Sequence, residues 1–277
     1  MTRTTRGRHL VAPLFLASLA AHVVPLMSGC DTGDVKPGAE GLLSLVTEPS
    51  AVESATWAID PYDADKRYRG TLFLASKPYG GDDVYIQLYL DNMKDEDAGV
   101  RAAALRGLGN HGRPEQAEVV AASLKDKDPI VRREAGRALQ RLHYPKVVPD
   151  LLRVVTEKNE QDADVRREAA TALGQYPDPR VLQPLIAALG DDTSLAVQQA
   201  ARTSMHTLTG QDFGFDRRQW LDWLSATKEP FAARLAYMYP AFNRDKVWYE
   251  YLPFVSPPPN EATAAPAGSS PSIGAEQ

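Results

Sequence analysis

The sequence predicts an all-α fold, a right-handed α-α superhelix of short helical hairpins, and three observations predict it. A motif recurs at steps of 34, 31, 34 and 32 residues. Within each copy, apolar and small residues fall at helical spacing. Between copies stand chain breakers, among them Gly109, Gly112 and Pro114, Tyr144-Pro145 and Tyr176-Pro177. Composition agrees with a globular chain: 277 residues, 43% hydrophobic, 24% charged, net charge −5. Those values exclude whole-chain disorder and a polytopic membrane protein. A single cysteine excludes an intramolecular disulfide framework and a multi-cysteine zinc site.

The chain opens with Arg3, Arg6, Arg8 and His9, then runs apolar from Leu10 to Met27, interrupted by Pro13, His22 and Pro25. A basic segment, an apolar segment and small residues make an export signal, and the interruptions disfavour a plain membrane span. The ending Leu26-Met27-Ser28-Gly29-Cys30 resembles a bacterial lipobox, with Met27 standing where leucine is usual. That resemblance implies cleavage after residue 29 and lipidation of Cys30, and hence a protein anchored to a bacterial membrane in the cell envelope. Asp31 resembles an inner-membrane retention signal, and the choice between inner and outer membrane stays open. The alternative for Cys30 is a free thiol after an ordinary cleavage site. A mature chain starting at Cys30 carries 28 Lys and Arg against 36 Asp and Glu, a net of −8. Residues 30–41 are expected to be a tether.

The solenoid is expected over 42–209. Arg67, Arg101, Arg132, Arg166 and Gln198 align, and Gly70, Ala104, Ala135, Ala169 and Ala201 follow three residues later. Asp97, Asp128 and Asp162 suit helix N-caps, because a carboxylate accepts unpaired amides and favours the positive end of the helix dipole. The small column permits close helix approach. Further helices are expected at 84–93, 115–124, 147–155 and 181–189, with Pro149 and Pro184 near the starts of theirs. Each hairpin has an incomplete core and needs neighbours.

The pairs Val100-Arg101, Val131-Arg132 and Val165-Arg166 resemble HEAT-like units of the phycobilisome-lyase type, in a short variety, over residues 63–209. The resemblance implies that the second helix of each hairpin lines a concave surface on which partners dock. Helices bearing Arg101, Arg132, Arg133, Arg137, Arg166, Arg167 and Arg202 would then form the binding surface and favour an acidic protein segment. Some HEAT-like proteins are di-iron hydroxylases with repeated His-Glu pairs, and no His-Glu dipeptide occurs here.

At 210–226, Asp216 as N-cap and the stripe Trp220, Trp223, Leu224 predict a helix that closes the open core, with a tryptophan-bearing ligand pocket as the alternative. Residues 227–255 hold eight aromatic rings without periodicity, which predicts an extended strap packed on the solenoid or, alternatively, an exposed docking patch. Residues 256–277, rich in Pro, Ala and Ser, read as a disordered tail.

Little in the chain suggests chemistry. His111, His143 and Tyr176 share one turn position, which points to packing rather than metal binding. No phosphate loop, His-Glu-x-x-His or Gly-x-Ser-x-Gly is present. Residues 95–205 carry 16 Lys and Arg against 17 Asp and Glu, so no phosphate track is expected and nucleic acid is not a partner. The sequence therefore points to a non-catalytic, cofactor-free scaffold for a protein partner. The alternative is a bilin-lyase-like or other ligand-binding or enzymatic accessory, with its site between concave face and strap rings such as Trp248 or Tyr251. Oligomeric state is left open.

Overall fold

A computed structural model describes residues 49–156, 158–241 and 262–269. The expected signal peptide, Cys30 and tether lie outside the described residues, as do the strap rings from Phe242 to Phe254. The helices are α1 (Ala51–Ala58), α2 (Ala64–Ala75), α3 (Asp83–Asn92), α4 (Ala98–His111), α5 (Ala117–Ala122), α6 (Pro129–Leu139), α7 (Val148–Val154), α8 (Ala163–Leu173), α9 (Pro179–Asp191), α10 (Leu195–Thr209) and α11 (Arg217–Ala226). No helix among the described residues is long and apolar enough to cross a membrane.

Local chemistry starts these helices. The Asp63, Asp97, Asp128 and Asp162 carboxylates accept first-turn amides of α2, α4, α6 and α8. Each such cap contributes about 1 kcal/mol. Ser50 and Glu53 form a reciprocal capping box on α1.

Consecutive helices form five antiparallel hairpins, and the second helices α2, α4, α6, α8 and α10 stack on one another as an inner layer. The other helices make the outer layer. The inner layer packs closest, because its facing residues are small. A Cβ built on Gly109 would lie 2.9 Å from the Ala138 Cα. Gly109 therefore does not break the chain as expected: α4 runs through it to His111, and the missing side chain admits α6 instead. One continuous apolar core runs through the array from Ala58 to Trp220.

The outer helices differ from expectation at their ends. In α5 and α7 only a short α segment survives, flanked by 3₁₀ turns at 114–116, 123–125 and 145–147. Proline at the start of two of these turns favours that tighter geometry. Helix α9 starts earlier than expected, at Pro179 behind the Asp178 cap, which leaves Pro184 inside the helix. An interior proline costs about 3 kcal/mol. Leu182, Leu185, Ile186 and Leu189 are all buried within the same helix. At roughly 1.5–3 kcal/mol each, their burial outweighs that cost.

At the carboxyl end, α10 stops at Gly210, whose φ of +69° is the left-handed conformation glycine adopts without strain. Helix α11, capped by Asp216, packs on α9 and buries Trp220 completely. The Trp220 ring meets Phe213 edge-on at 4.9 Å, and its indole N–H donates to the Gly214 carbonyl.

The chain then crosses back over the array. The Leu235 amide donates to the Thr207 carbonyl, and Tyr239–Ala241 (β1) pairs antiparallel with Ala262–Ala264 (β2). Beyond β2, Ala267 forms a parallel bridge with Leu142, donating to the Arg141 carbonyl and accepting from the His143 amide. This corrects the expectation of disorder throughout 256–277, since 262–269 is ordered. The composition has few side chains to bury, but the order here comes from backbone hydrogen bonds. Small residues let that backbone approach the rim of the helices.

Candidate functional site

The inner layer carries every arginine expected to bind a partner, and the structure sorts all but Arg202 into two groups by helix face. The first-turn arginines face inward between repeats. Arg101 binds Asp126 bidentately, both N–O distances being 2.9 Å, and its other terminal nitrogen donates to the Asp95 and Glu96 carbonyls. Arg132 grips Glu160 in the same way at 2.6 and 2.9 Å, and Arg166 grips Asp192 at the same two distances. Arg67 holds Asp95 one repeat earlier. Both side chains of the Arg166–Asp192 pair are 2% exposed.

The acid in each pair sits two residues ahead of an N-cap and also accepts the cap residue's amide: Asp95 from Asp97, Asp126 from Asp128, Glu160 from Asp162, Asp192 from Ser194. Each arginine thus ties its own entry turn to that of the next repeat. Gln198 ends the series, donating only to the Asp192 carbonyl of its own turn. Arg101, Arg132 and Arg166 are therefore not docking residues, because their donors are already committed to paired groups. These partner acids were missed in the sequence, although an acid two positions before each cap was visible.

Burial alone would raise the Asp95 and Asp126 carboxyls. Arginine and amide donors outweigh it and hold both below the usual carboxylate value.

On an adjoining face of the same helices, Arg133, Arg137 and Arg167 are half-exposed, joined by Arg106 and Arg141. Arg106 and Arg137 share Glu134 at 3.3 and 3.0 Å, while Arg137 and Arg167 share Glu168 at 3.3 and 2.7 Å. Arg133 reaches Asp164 only at 3.7 Å. Five arginines meet three carboxylates here. The Nε atoms of Arg133 and Arg167 are buried without a hydrogen-bond partner. Arg141 lies under the Tyr239 ring at 5.2 Å and donates to the Asn110 side chain. Burial, the largest effect, pulls its pKa below the ordinary guanidinium value.

Arg202 belongs to neither group. It binds Asp212 bidentately at 2.9 and 2.6 Å and holds the loop leading to α11. That bond and the Gly214 amide keep the Asp212 carboxyl down at about 2.

The His/Tyr column packs turns. His111 bonds the Ala75 carbonyl at 3.0 Å, and His143 stacks on Tyr176 with ring centres 5.0 Å apart. Among the described residues, no group of three or more His, Cys, Asp or Glu side chains is placed to hold a metal ion. Beside this column, a cavity of about 420 Å³ separates the ends of α8 and α10 from the returning segment 234–238. Tyr237 is the strap ring that lines it among the described residues, and Trp248 and Tyr251 lie outside those residues.

A HEAT-repeat family model matches residues 86–163 and again 143–206. No curated protein matches the chain. Among solved structures, the chain is similar to a designed armadillo repeat protein, with 14% identity and a TM-score of 0.46, over 66% of this chain and 95% of the other. A second designed armadillo repeat protein, in complex with the peptide (KR)4, shows 16% identity and a TM-score of 0.47, over 62% and 87% of the two chains. An engineered protein shows 21% identity and a TM-score of 0.45, over 56% and 77%. Residues 86–206, the stacked stretch from within α3 to within α10, are thus similar to HEAT repeats.

Proposed function

We propose that this protein is a membrane-anchored scaffold of the bacterial cell envelope that binds an acidic segment of a protein partner along its inner helix layer. The observation that carries the partner reading is the imbalance of five arginines (Arg106, Arg133, Arg137, Arg141, Arg167) against three carboxylates (Glu134, Asp164, Glu168) on one face of the inner helices. An extended segment with carboxylates would complete the coordination of these guanidinium groups, which favour planar, bidentate anions. The overall acidity of the chain keeps such a segment away from other faces.

The anchor rests on the Cys30 lipobox. Each buried methylene contributes about 0.8 kcal/mol, so a multiply acylated cysteine holds a protein stably on a bilayer. Replacing Cys30→Ser should abolish incorporation of labelled fatty acid and release the protein from the membrane fraction. Continued labelling would overturn the anchor.

The partner reading is tested by anisotropy titration of a fluorescent Glu-Ser repeat peptide. Saturable, salt-sensitive binding is expected, and it should be lost in Arg137→Glu/Arg167→Glu. Equal binding by that variant would refute the proposed surface.

A further inference from the structure

We propose a second, separate site: the cavity between the ends of α8 and α10 and the returning segment takes a free, single-chain anionic amphiphile, such as a medium-chain carboxylate. The cavity's volume of about 420 Å³ falls in the range of small-molecule sites. Its floor includes Gln175 and Leu208, and its roof includes Leu235, Tyr237, Met238 and Pro266. Those walls are largely apolar, which suits a hydrocarbon body better than water.

Two polar groups are left over for a ligand. The Tyr237 hydroxyl is buried and has no hydrogen-bond partner, a costly arrangement unless something else fills the position. Arg234 lines the same cavity, and no acidic side chain among the described residues pairs with it. The other hydroxyls of the lining are already committed: Thr207 donates to the Thr203 carbonyl and Ser269 to the Pro266 carbonyl. One uncommitted cation and one uncommitted hydroxyl beside an apolar chamber are complementary to a carboxylate on an alkyl chain. The roof belongs to an extended segment held by a few backbone bonds, Leu235 to Thr207 and Ala267 to the 141–143 turn. Opening it for entry breaks no helix.

The Tyr237 hydroxyl lies in the field of Arg141 and Glu168, so this site borders the arginine surface, but its cation is Arg234, and the two tests read different residues. The test is displacement of anilinonaphthalene sulfonate from the full chain by decanoate, with decanol as the neutral counterpart. Decanoate is expected to displace the probe at one equivalent per chain, and decanol to need about tenfold more, the factor that losing a charge-assisted hydrogen bond implies. Arg234→Gln should weaken decanoate by a similar factor and leave decanol unchanged. Ala265→Trp, which fills the cavity from its exposed rim, should abolish saturable probe binding without lowering the unfolding midpoint. Unaltered probe binding in Ala265→Trp would overturn the site. Equal potency of the acid and the alcohol would overturn its anionic character. Displacement only by diacyl phosphatidylglycerol vesicles would overturn the free amphiphile as its ligand.

Discussion

Two faces of the same inner helices use the same residue type in opposite ways. In the first turn, Arg101 and Arg166 are 6% and 2% exposed, and each guanidinium is shared between a carboxylate and two carbonyls. Arg167, next to Arg166, and Arg137, five residues beyond Arg132, share carboxylates with neighbouring arginines and keep about a third of their side-chain surface in solvent. The difference arises from what lies opposite. The face bearing Arg101, Arg132 and Arg166 meets an entry loop whose carbonyls and acid need donors, whereas the face bearing Arg133, Arg137 and Arg167 looks across to the next helix and outward. In this array an arginine's role is set by the helix face it occupies.

The largest effect that tests this contrast is Arg166→Met. Removing one partner of a buried pair leaves Asp192 uncompensated, and an equilibrium denaturation should register a loss of about 3–5 kcal/mol. Arg167→Met, one residue away, should cost under about 1 kcal/mol, as half-exposed pairs do. Equal losses would erase the distinction.

Acid provides the next test. Asp95 and Asp126 have lowered pKa values in the folded chain, so their contribution is complete above the unfolded value of about 4 and is lost as pH falls through the folded values. Asp212, at about 2, marks the lower end of that window. The urea midpoint should therefore decline between about pH 4 and 2. Arg101→Gln should flatten that decline by removing the donor that lowers Asp126. His111, half-buried and held below its usual pKa by desolvation, adds a shallower loss as pH falls below about 6.5.

The smallest effect sharpens the end of the series. Gln198→Ala removes one neutral hydrogen bond and should cost about 1 kcal/mol, well short of the arginine replacements.

Much of this was legible in the sequence because repetition multiplies weak signals. Asp97, Asp128 and Asp162 cap as their chemistry requires, and the small column at Ala104, Ala135 and Ala169 is fully buried. The two arginine groups were not separated, since residue type and periodicity alone do not say which carbonyls a guanidinium meets. The acids at 95, 126, 160 and 192 carried that information in their spacing from the caps. The order at 262–269 was hidden because backbone pairing leaves no mark on side-chain composition. Tyr237 was visible only as one ring among eight, and its place over the cavity depends on where the returning chain crosses the array.

The arginine series has a direction. Every link runs from one hairpin to the following one, and the last hairpin bears a glutamine that reaches only its own turn. The array therefore has interchangeable middle units and a fixed terminus. A duplicated unit inserted between Arg101 and Arg166 would inherit a donor from the unit before it and supply one to the unit after. A unit added after Gln198 would meet no donor. Growth of such a chain by duplication is open in its interior and closed at its carboxyl end, so longer and shorter versions should differ in the number of central repeats and share the last hairpin.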